Sequence, residues 1–404
     1  MKDETYPFGY CTNVHAGTSL EEAQANLLQY STAVRQAVIP EGRLPLGLWL
    51  AETAANSLLD RGGIQKFGEW LAEHHFAAYT FNGFPQGDFH QPVVKHAVYE
   101  PTWTCDSRTR YTLCLAEILD AWLPPGGVGS ISTLPLGWPH APWHAENYKT
   151  AADNLREVAK FLDRMAQQSG KQVVLAIEPE PGCVLNTAEE VVEFFEHFLF
   201  RGPEATLARQ YLTVCHDICH SGVMFESQTE VLERYRQAGI RVGKVQVSSA
   251  VHVPWDTCQD AAQQAELVQQ LQSFNEPKYL HQTTRRGRAG GCDRLLPDLP
   301  AALEQWLPAE GSPTTPWRIH FHIPIFVEQF AGLHTTQADI IEATNYLEQQ
   351  RQQRTGDVPW FTGHYEVETY AWPVLPAALA EDDLAAGIAR ELRYFHDVLA
   401  EATS

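Results

Sequence analysis

The chain has 404 residues, of which 44% are hydrophobic and 20% are charged, so it can bury a large core and has the composition of a globular protein. Its formal net charge of −21, from 29 basic and 50 acidic side chains, argues against nucleic-acid partners, which are bound largely by neutralising phosphates. The first ten residues carry no targeting pattern, no apolar run approaches the roughly 18 residues of a membrane span, and eight cysteines are too few for a disulfide scaffold; we therefore expect a cytoplasmic protein with reduced thiols and no membrane insertion.

Short apolar runs alternate along the chain with longer stretches of helical periodicity. Two helix starts carry the capping-box pattern, in Ser19–Glu22 and Thr187–Glu190, where a hydroxyl and a glutamate satisfy free amides reciprocally. Strands that alternate with helices predict βαβ units and a mainly parallel sheet. The predicted strands lie in runs 8–15, 44–51, 76–84, 128–138, 172–180, 212–217, 242–249, 318–326 and 364–372.

These runs number one more than a closed barrel of eight strands needs. The long separation between the run at 242–249 and the run at 364–372 identifies residues 250–363 as an insertion that contains the extra strand. We therefore predict an α/β protein with one (β/α)₈ TIM-barrel domain over residues 1–404, an elaborated loop between strands seven and eight, and a final amphipathic helix at 382–399. An open doubly wound sheet is the alternative, but no G-x-G-x-x-G follows the first strand.

Acidic and histidine side chains gather at the predicted carboxyl ends of the strands, where TIM barrels carry their chemistry. Such groups, drawn from separate strands to one place, would repel one another or be desolvated without a cation. The donor types suit Mn²⁺, Zn²⁺, Mg²⁺ or Co²⁺ and do not choose among them. The residues are Glu178 and Glu180 after strand five, Asp217 and His220 after strand six, Glu366 and Glu368 at strand eight, and His320 and His322 in the insertion.

This arrangement resembles the xylose-isomerase-like barrels, which comprise sugar isomerases, epimerases and metal-dependent abasic-site endonucleases. The resemblance covers nearly the whole barrel and implies a metal held by a glutamate after strand five, a D-x-x-H turn after strand six and a glutamate on strand eight. The matching residues here are Glu178, Asp217, His220 and Glu368. His320 and His322 occupy the stretch in which the endonucleases hold further zinc ions, which implies a second metal site or a substrate contact; a polar strand face is the alternative.

Within that superfamily, IEPEPG, CHDICH, HFHIP and HYEVETY together resemble the metabolite-traffic proteins known as EboE. The sequence departs from the superfamily on strand seven, where Gln246 stands in place of the expected histidine. Glutamine is a weak metal ligand, so we expect Gln246 to contact substrate.

Four further residues are expected at the substrate. Glu180 and Glu366 share the strand parity of Glu178 and Glu368 and are assigned to substrate binding. His15 and Trp138 fall at the edge of the barrel that carries the chemistry. His216 is expected to face a helix, and Cys215 and Cys219 are expected to be buried thiols without a catalytic role.

The leading hypothesis is a metal-dependent isomerase or epimerase acting on a small sugar-like or carbonyl metabolite. Glu178 and Glu368 would remove and return a proton as general base and acid. One alternative is a metal-dependent protein that binds or carries a metabolite without turning it over, which the substitution at Gln246 favours. The other, ranked last because of the acidic charge, is a phosphodiester hydrolase.

Overall fold

The computed structural model describes residues 7–404 except 61, 289, 311–313, 354–357, 378 and 381–382, and omits the side chains of 308–310. Eight parallel strands close into a barrel in the order β1-β14-β7-β6-β5-β4-β3-β2. The predicted closed barrel is therefore confirmed. Its strands are β1 (Gly9–Cys11), β2 (Leu44–Leu48), β3 (Phe76–Asn82), β4 (Val128–Thr133), β5 (Gln172–Ile177), β6 (Leu212–Asp217), β7 (Val242–Val247) and β14 (Tyr365–Val367).

Helices surround the barrel and fill the connections between its strands. Both predicted capping boxes are confirmed. The side chains of Ser19 and Thr187 accept hydrogen bonds from the backbone amides of Glu22 and Glu190. The α-helices are α1 (Leu20–Asn26), α2 (Thr32–Val38), α3 (Glu52–Leu58), α4 (Gly63–Glu73), α5 (Asp106–Trp122), α6 (Ala145–Ser169), α7 (Ala188–Phe194), α8 (Ala205–Tyr211), α9 (Ile218–Val223), α10 (Gln228–Gln237), α11 (Ala261–Gln272), α12 (Leu299–Glu310), α13 (Gln337–Gln352) and α14 (Leu384–Thr403). None of the helices in the described residues is both long enough and apolar enough to cross a membrane.

The connection between β7 and β14 builds a second sheet of six strands in the order β10-β9-β11-β8-β13-β12. A separate hydrophobic cluster lies beneath this sheet, with Trp255, Trp306 and Trp317 buried among aliphatic side chains. The same cluster includes Trp49 and Phe89 from the barrel's own loops, so the second sheet packs on the barrel mouth. The strands are β8 (Val251–Val253), β9 (Thr283–Gly287), β10 (Gly290–Leu296), β11 (Trp317–Ile319), β12 (Gln329–Phe330) and β13 (Leu333–Thr335).

Most strands are shorter than the apolar runs that predicted them. The prediction of a strand over 318–326 is wrong beyond Ile319, because residues 320–324 follow β11 as irregular backbone. The predicted helix at 382–399 begins at Leu384 and continues to Thr403, and position 382 lies outside the described residues. The apolar runs extend beyond the ends of the strands because the loop residues at the barrel mouth are also buried.

The barrel interior holds a buried ion pair between two neighbouring strands. Lys244 Nζ of β7 lies 2.6 Å from Glu366 Oε2 of β14, and neither side chain is exposed. The ammonium is also within 3.3 Å of the Phe81 carbonyl oxygen and of Ser132 Oγ. Gly47 of β2 makes room for the pair, since a Cβ there would lie 1.1 Å from Glu366 Oε1.

Gly47→Ala should lower the free energy of unfolding by about 1–3 kcal/mol, the usual cost of overpacking a core. The displaced carboxylate would have to move within the barrel interior, where its partner Lys244 is also fully buried. Denaturant unfolding followed by circular dichroism measures the change. Gly87→Ala is the matched control, because a Cβ at Gly87 meets nothing within 4 Å; equal stability of the two variants would show that the interior is not tightly packed around Glu366.

Candidate metal centre

Seven ionisable side chains converge at the carboxyl ends of the barrel strands. Three of them stand at the ends of β5, β6 and β14, and two more come from the irregular segment after β11, which the second sheet holds over the barrel mouth. All are buried. They are Glu178, Glu180, Asp217, His220, His320, His322 and Glu368.

Each of the three histidines is fixed through its Nδ1 atom. His220 Nδ1 lies 2.8 Å from the Pro179 carbonyl oxygen, and His322 Nδ1 lies 2.8 Å from the Glu368 carbonyl oxygen. His320 Nδ1 lies 2.8 Å from Gln282 Oε1. Because carbonyl oxygens can only accept, each Nδ1 carries the proton and each Nε2 presents a lone pair, the arrangement typical of metal-binding histidines.

Two of these lone pairs face each other. His320 Nε2 and His322 Nε2 are 3.3 Å apart, and neither carries a proton when Nδ1 does. The separation is about that of two nitrogen ligands on one tetrahedral zinc, roughly 3.3 Å for bonds of roughly 2.0–2.1 Å. Burial lowers the pKa of His322 to about 4 and of His220 to about 3, so the imidazoles are neutral and available as ligands.

Asp217 presents one of its oxygens to these nitrogens. Its Oδ1 accepts from Ser248 Oγ at 2.7 Å and from the His220 amide at 3.0 Å. Its Oδ2 lies 3.8 Å from His220 Nε2 and 3.9 Å from His322 Nε2, and has no hydrogen-bond partner. A buried carboxylate oxygen without a donor is costly unless a cation is bound.

Glu178, Asp217 and Glu368 form a group of carboxylates whose oxygens lie within 4.8 Å of one another. Burial, followed by the charges of the other two carboxylates, raises the pKa of Glu178 well above its usual value. Burial likewise raises the pKa of Glu368 to about 8. Glu178 Oε2 has no hydrogen-bond partner. The group is therefore under strong pressure either to bind protons or to bind a cation.

Two amides hold the carboxylate of Glu368 in place. Asn13 and Asn82, at the ends of β1 and β3, donate to Glu368 Oε1 at 2.7 and 2.8 Å. Glu180 is held in a comparable way, because Tyr99 OH and Gln282 Nε2 donate to its Oε1 at 2.6 and 2.9 Å. These donors fix the direction in which each carboxylate points.

The donor set fits divalent metal ions. Glu178, Asp217 and Glu368 form one group of three donors, and Glu180, His220 and His320 form another. His322 joins Asp217 and His220 in a third group. A divalent cation would serve as a partner for the unpartnered oxygens of Glu178 and Asp217 and for the facing imidazole nitrogens.

The proposed metal ligands thus lie together, whereas four of the five residues assigned to substrate binding do not line the cavity above them. Glu180 does line it. Glu366 does not fit its assignment, because it lies one layer deeper in the barrel and pairs with Lys244. Trp138 packs behind the cavity, with its ring 5.1 Å from that of Tyr99.

Gln246 and His15 are also placed away from the cavity lining. Gln246 is fully buried on β7, where it pairs in strand register with Asp217 of β6 and Glu366 of β14, and neither of its amide atoms has a hydrogen-bond partner. His15 Nε2 lies 2.8 Å from Tyr10 OH, and its ring stacks on Tyr30 at 4.7 Å. His15 therefore has the surroundings of a structural residue.

Three other residues around the D-x-x-H turn are buried. His216 faces α10, where its Nε2 lies 2.7 Å from Gln228 Oε1. Cys215 and Cys219 are free and buried, and burial raises the pKa of both thiols well above the usual value. Cys219 also forms a group with His320 and His322 that could hold a metal ion.

Sequence reasoning missed the residues that orient the ligands. Tyr99 ends a short 3₁₀ helix (Lys95–Tyr99) and Gln282 lies in a loop, so no periodicity marks either residue. Ser248 follows β7 directly, and its strand-end position could have drawn attention to it. Lys244 carried a clear signal, because a lysine in the middle of an apolar strand must have a buried partner.

A cavity opens directly above the donor cluster. It encloses about 530 Å³, including the part that is continuous with solvent. Its walls come from the loop after β3, from residues 279–280 of the insertion and from the loop after β14. The cluster is thus accessible to a small ligand.

No family model matches the sequence, and no curated protein is similar to it. Solved structures do share the fold. A xylose isomerase-like TIM barrel protein from Mycobacterium smegmatis in complex with magnesium matches with a TM-score of 0.52 and 10% identity, over 99% of this chain and 98% of that chain. The IOLI protein with a bound zinc atom matches with a TM-score of 0.48 and 12% identity, over 98% of this chain and 99% of that chain. At this identity the first match shows the fold, a xylose isomerase-like TIM barrel.

Manganese should stabilise the protein more at pH 8 than at pH 5.5. Folded-state pKa values of about 7 for Glu180 and about 8 for Glu368 are raised above the usual 4.5, so in the metal-free protein these groups stabilise the fold at low pH and lose that effect as the pH rises through 7–8. The lowered pKa values of His220 and His322 act in the opposite direction, since their contribution is present above 6.5 and is lost as the pH falls towards 3–4. Bound metal replaces the carboxylate protons, so its affinity should rise through this window.

Thermal unfolding at several pH values, with and without Mn²⁺, measures this effect as the metal-induced shift in Tm. The shift should grow with pH in the wild-type chain and be much smaller in Glu368→Gln. A shift that is independent of pH would contradict metal binding by these carboxylates.

Proposed function

We propose that this protein is a divalent-metal-dependent isomerase or epimerase that acts on a small sugar-like or carbonyl metabolite. The main support is the pair of donor groups at the barrel mouth, in which carboxylate oxygens lack partners and the Nε2 atoms of His320 and His322 face each other at 3.3 Å. A role in the processing or traffic of secondary metabolites is also proposed, and it rests on the motif resemblance to EboE alone.

The buried charges favour two metal ions. Five buried carboxylates at and below the mouth surround the ammonium of Lys244, so the ionised cluster has a net charge of −4. The carboxylates are those of Glu178, Glu180, Asp217, Glu366 and Glu368. Two divalent cations bring this sum to zero. A dry site with a large uncompensated charge would be unstable.

The two ions would be held by different elements. Glu178, Asp217 and Glu368 would hold one, and the unpartnered amide of Gln246 is offered as an additional ligand, in place of the substrate contact expected from the sequence. His220, His320 and Glu180 would hold the other, with His322 adjacent to both groups. A divalent cation bound there supplies Lewis-acid polarisation of a substrate carbonyl or hydroxyl group.

Proton transfer is assigned to Glu178 and Glu368. Asn13 and Asn82 occupy Glu368 Oε1, which leaves Oε2 to exchange a proton with the substrate carbon. Glu178 would exchange the proton on the other side through the carboxylate oxygen that does not bind the cation. Burial, which raises the pKa of both groups, matches their basicity to that role.

Glu368→Gln and Asp217→Asn should abolish turnover, with a loss of at least about 10³-fold, because one removes a proton-transfer group and the other a ligand. The assay incubates the manganese-loaded protein with small ketoses, aldoses and hydroxyketones in D₂O and follows deuterium incorporation at carbon by NMR. Glu193→Gln, at an exposed position on α7, is the matched control and should exchange normally. Full activity in either site variant would reject the mechanism.

His320→Ala should reduce the bound metal from about two ions per chain to about one. Only one of the two donor groups loses a member, so the other ion should remain. Elemental analysis of dialysed protein measures the stoichiometry, and His334→Ala, an exposed histidine on β13, is the control. One ion in the wild-type chain, unchanged in His320→Ala, would contradict the two-ion centre.

A binding role without turnover is the second candidate. The observation that favours it is Gln246 on β7, whose neutral side chain stands between Asp217 and Glu366 where a histidine was expected. Saturable binding of a metabolite, with no deuterium exchange and no product under any divalent metal, would select this role. Phosphodiester hydrolysis ranks last, because Lys95 is the one cationic side chain among the described residues that line the cavity.

A further inference from the structure

We propose that the substrate joins an oxygen-bearing head, such as an α-hydroxyketone, to an apolar ring or chain, and that it is not a phosphorylated sugar. This inference rests on the proposed function, because the head would sit at the metal centre. It deepens that proposal by naming the substrate class from the walls of the cavity, which the proton-transfer chemistry does not use.

The cavity is divided into a polar floor and an apolar upper wall. The floor consists of the carboxylates and imidazoles together with Asn13 and Asn82, all at strand ends or from the segment after β11. The wall above is built by other segments and has few groups that can hydrogen-bond. Its main members are Phe84, Phe89, Val94, Val98, Tyr279 and Tyr370.

The apolar wall begins directly beside the donor cluster. The Tyr370 ring lies 4.6 Å from the ring of His322. Phe89, Tyr279 and Tyr370 contact one another with ring centroids 5.0–5.6 Å apart, which makes a continuous aromatic surface. A ligand whose head reaches His322 therefore meets aromatic carbon with its next atoms, and a flat ring would gain both burial and ring contacts there.

The described residues that line this cavity offer a phosphate group no lysine or arginine that is free of an ion pair. Lys95 is the one lysine or arginine among the described lining residues, and its ammonium is ion-paired with Asp298. Asp298 is itself held by the amides of His281 and Leu299, both at 3.1 Å, so the pair is anchored on the insertion. When the head of the substrate occupies the metal centre, a phosphate at its other end would lie against the apolar wall, without a bidentate or charge-assisted partner.

A free hexose is equally poorly matched. Each buried hydroxyl needs a hydrogen-bond partner, and one left without costs about 1–3 kcal/mol. The floor can serve the hydroxyls at one end of such a sugar, but valine and phenylalanine side chains on the wall cannot serve those at the other end. The cavity therefore selects for a molecule that is polar at one end only.

Three ketones with the same head test this inference. 2-Hydroxyacetophenone carries a phenyl group, hydroxyacetone a methyl group and dihydroxyacetone phosphate a phosphate. Titration calorimetry on the manganese-loaded protein should give 2-hydroxyacetophenone a Kd at least about tenfold lower than hydroxyacetone, from burial of the ring. Dihydroxyacetone phosphate should bind no more tightly than hydroxyacetone.

Isosteric variants locate the preference in the wall. Val94→Thr and Val98→Thr keep the side-chain volume and add a hydroxyl, so each should weaken binding of 2-hydroxyacetophenone about three- to tenfold and leave hydroxyacetone unchanged. Val93→Thr, at a neighbouring position whose side chain is 55% exposed, is the matched control and should bind like the wild type. Thermal unfolding checks that all three variants are folded.

The outcomes separate this inference from the proposed function. A phenyl preference that persists in metal-free protein and is lost in Val98→Thr would support the inference and contradict the metal-bound head. Equal affinity for the three ketones, tighter binding of the phosphate, or no binding of any of them with or without metal would overturn it.

Discussion

Five carboxylates lie buried within the barrel or at its mouth, and Lys244 is the ammonium that lies among them. Taking like charges out of water costs more than any single contact in the fold returns, so this arrangement depends on compensation. The Lys244–Glu366 pair provides part of it inside the barrel. The negative charge of the carboxylates above the pair must be compensated by bound protons or by cations. The rest of the site is arranged around that requirement.

The histidines that could bind such cations do not all come from the barrel itself. His220 belongs to the turn after β6, whereas His320 and His322 follow β11 of the second sheet. That sheet has its own tryptophan-rich core and packs on loops of the barrel mouth through Trp49 and Phe89. The insertion therefore acts as part of the site, since it supplies two imidazoles, the Gln282 amide that orients one of them, and part of the cavity wall.

The same architecture divides the cavity into two chemical regions. Strand ends present groups that point along the barrel axis, and these form the polar floor. Loops that span the mouth must bury their own apolar side chains, and these form the upper wall. A ligand that fills both regions has to be asymmetric in polarity, which distinguishes this cavity from one built to surround a sugar with hydrogen-bonding groups.

The sequence by itself determined the closed barrel, the insertion before the last strand, both capping boxes and the strand ends that carry Glu178, Asp217 and Glu368. These features are local, because periodicity, spacing and short motifs act over a few neighbouring residues. Strand parity alone did not separate Glu366 from Glu368, since parity reports the face of a side chain but not its layer within the barrel, and the choice of Glu368 as the ligand came from the family resemblance. Only the tertiary structure decided that Glu366 pairs with Lys244, and that His15 and Trp138 stand away from the cavity. It also decided that His322 lies near Asp217 at the end of β6 and His320 near Glu180 after β5. Those contacts join residues more than a hundred positions apart in the chain. The packing of the second sheet on the barrel, which brings the two histidines to the mouth, leaves no mark in the local pattern of residues.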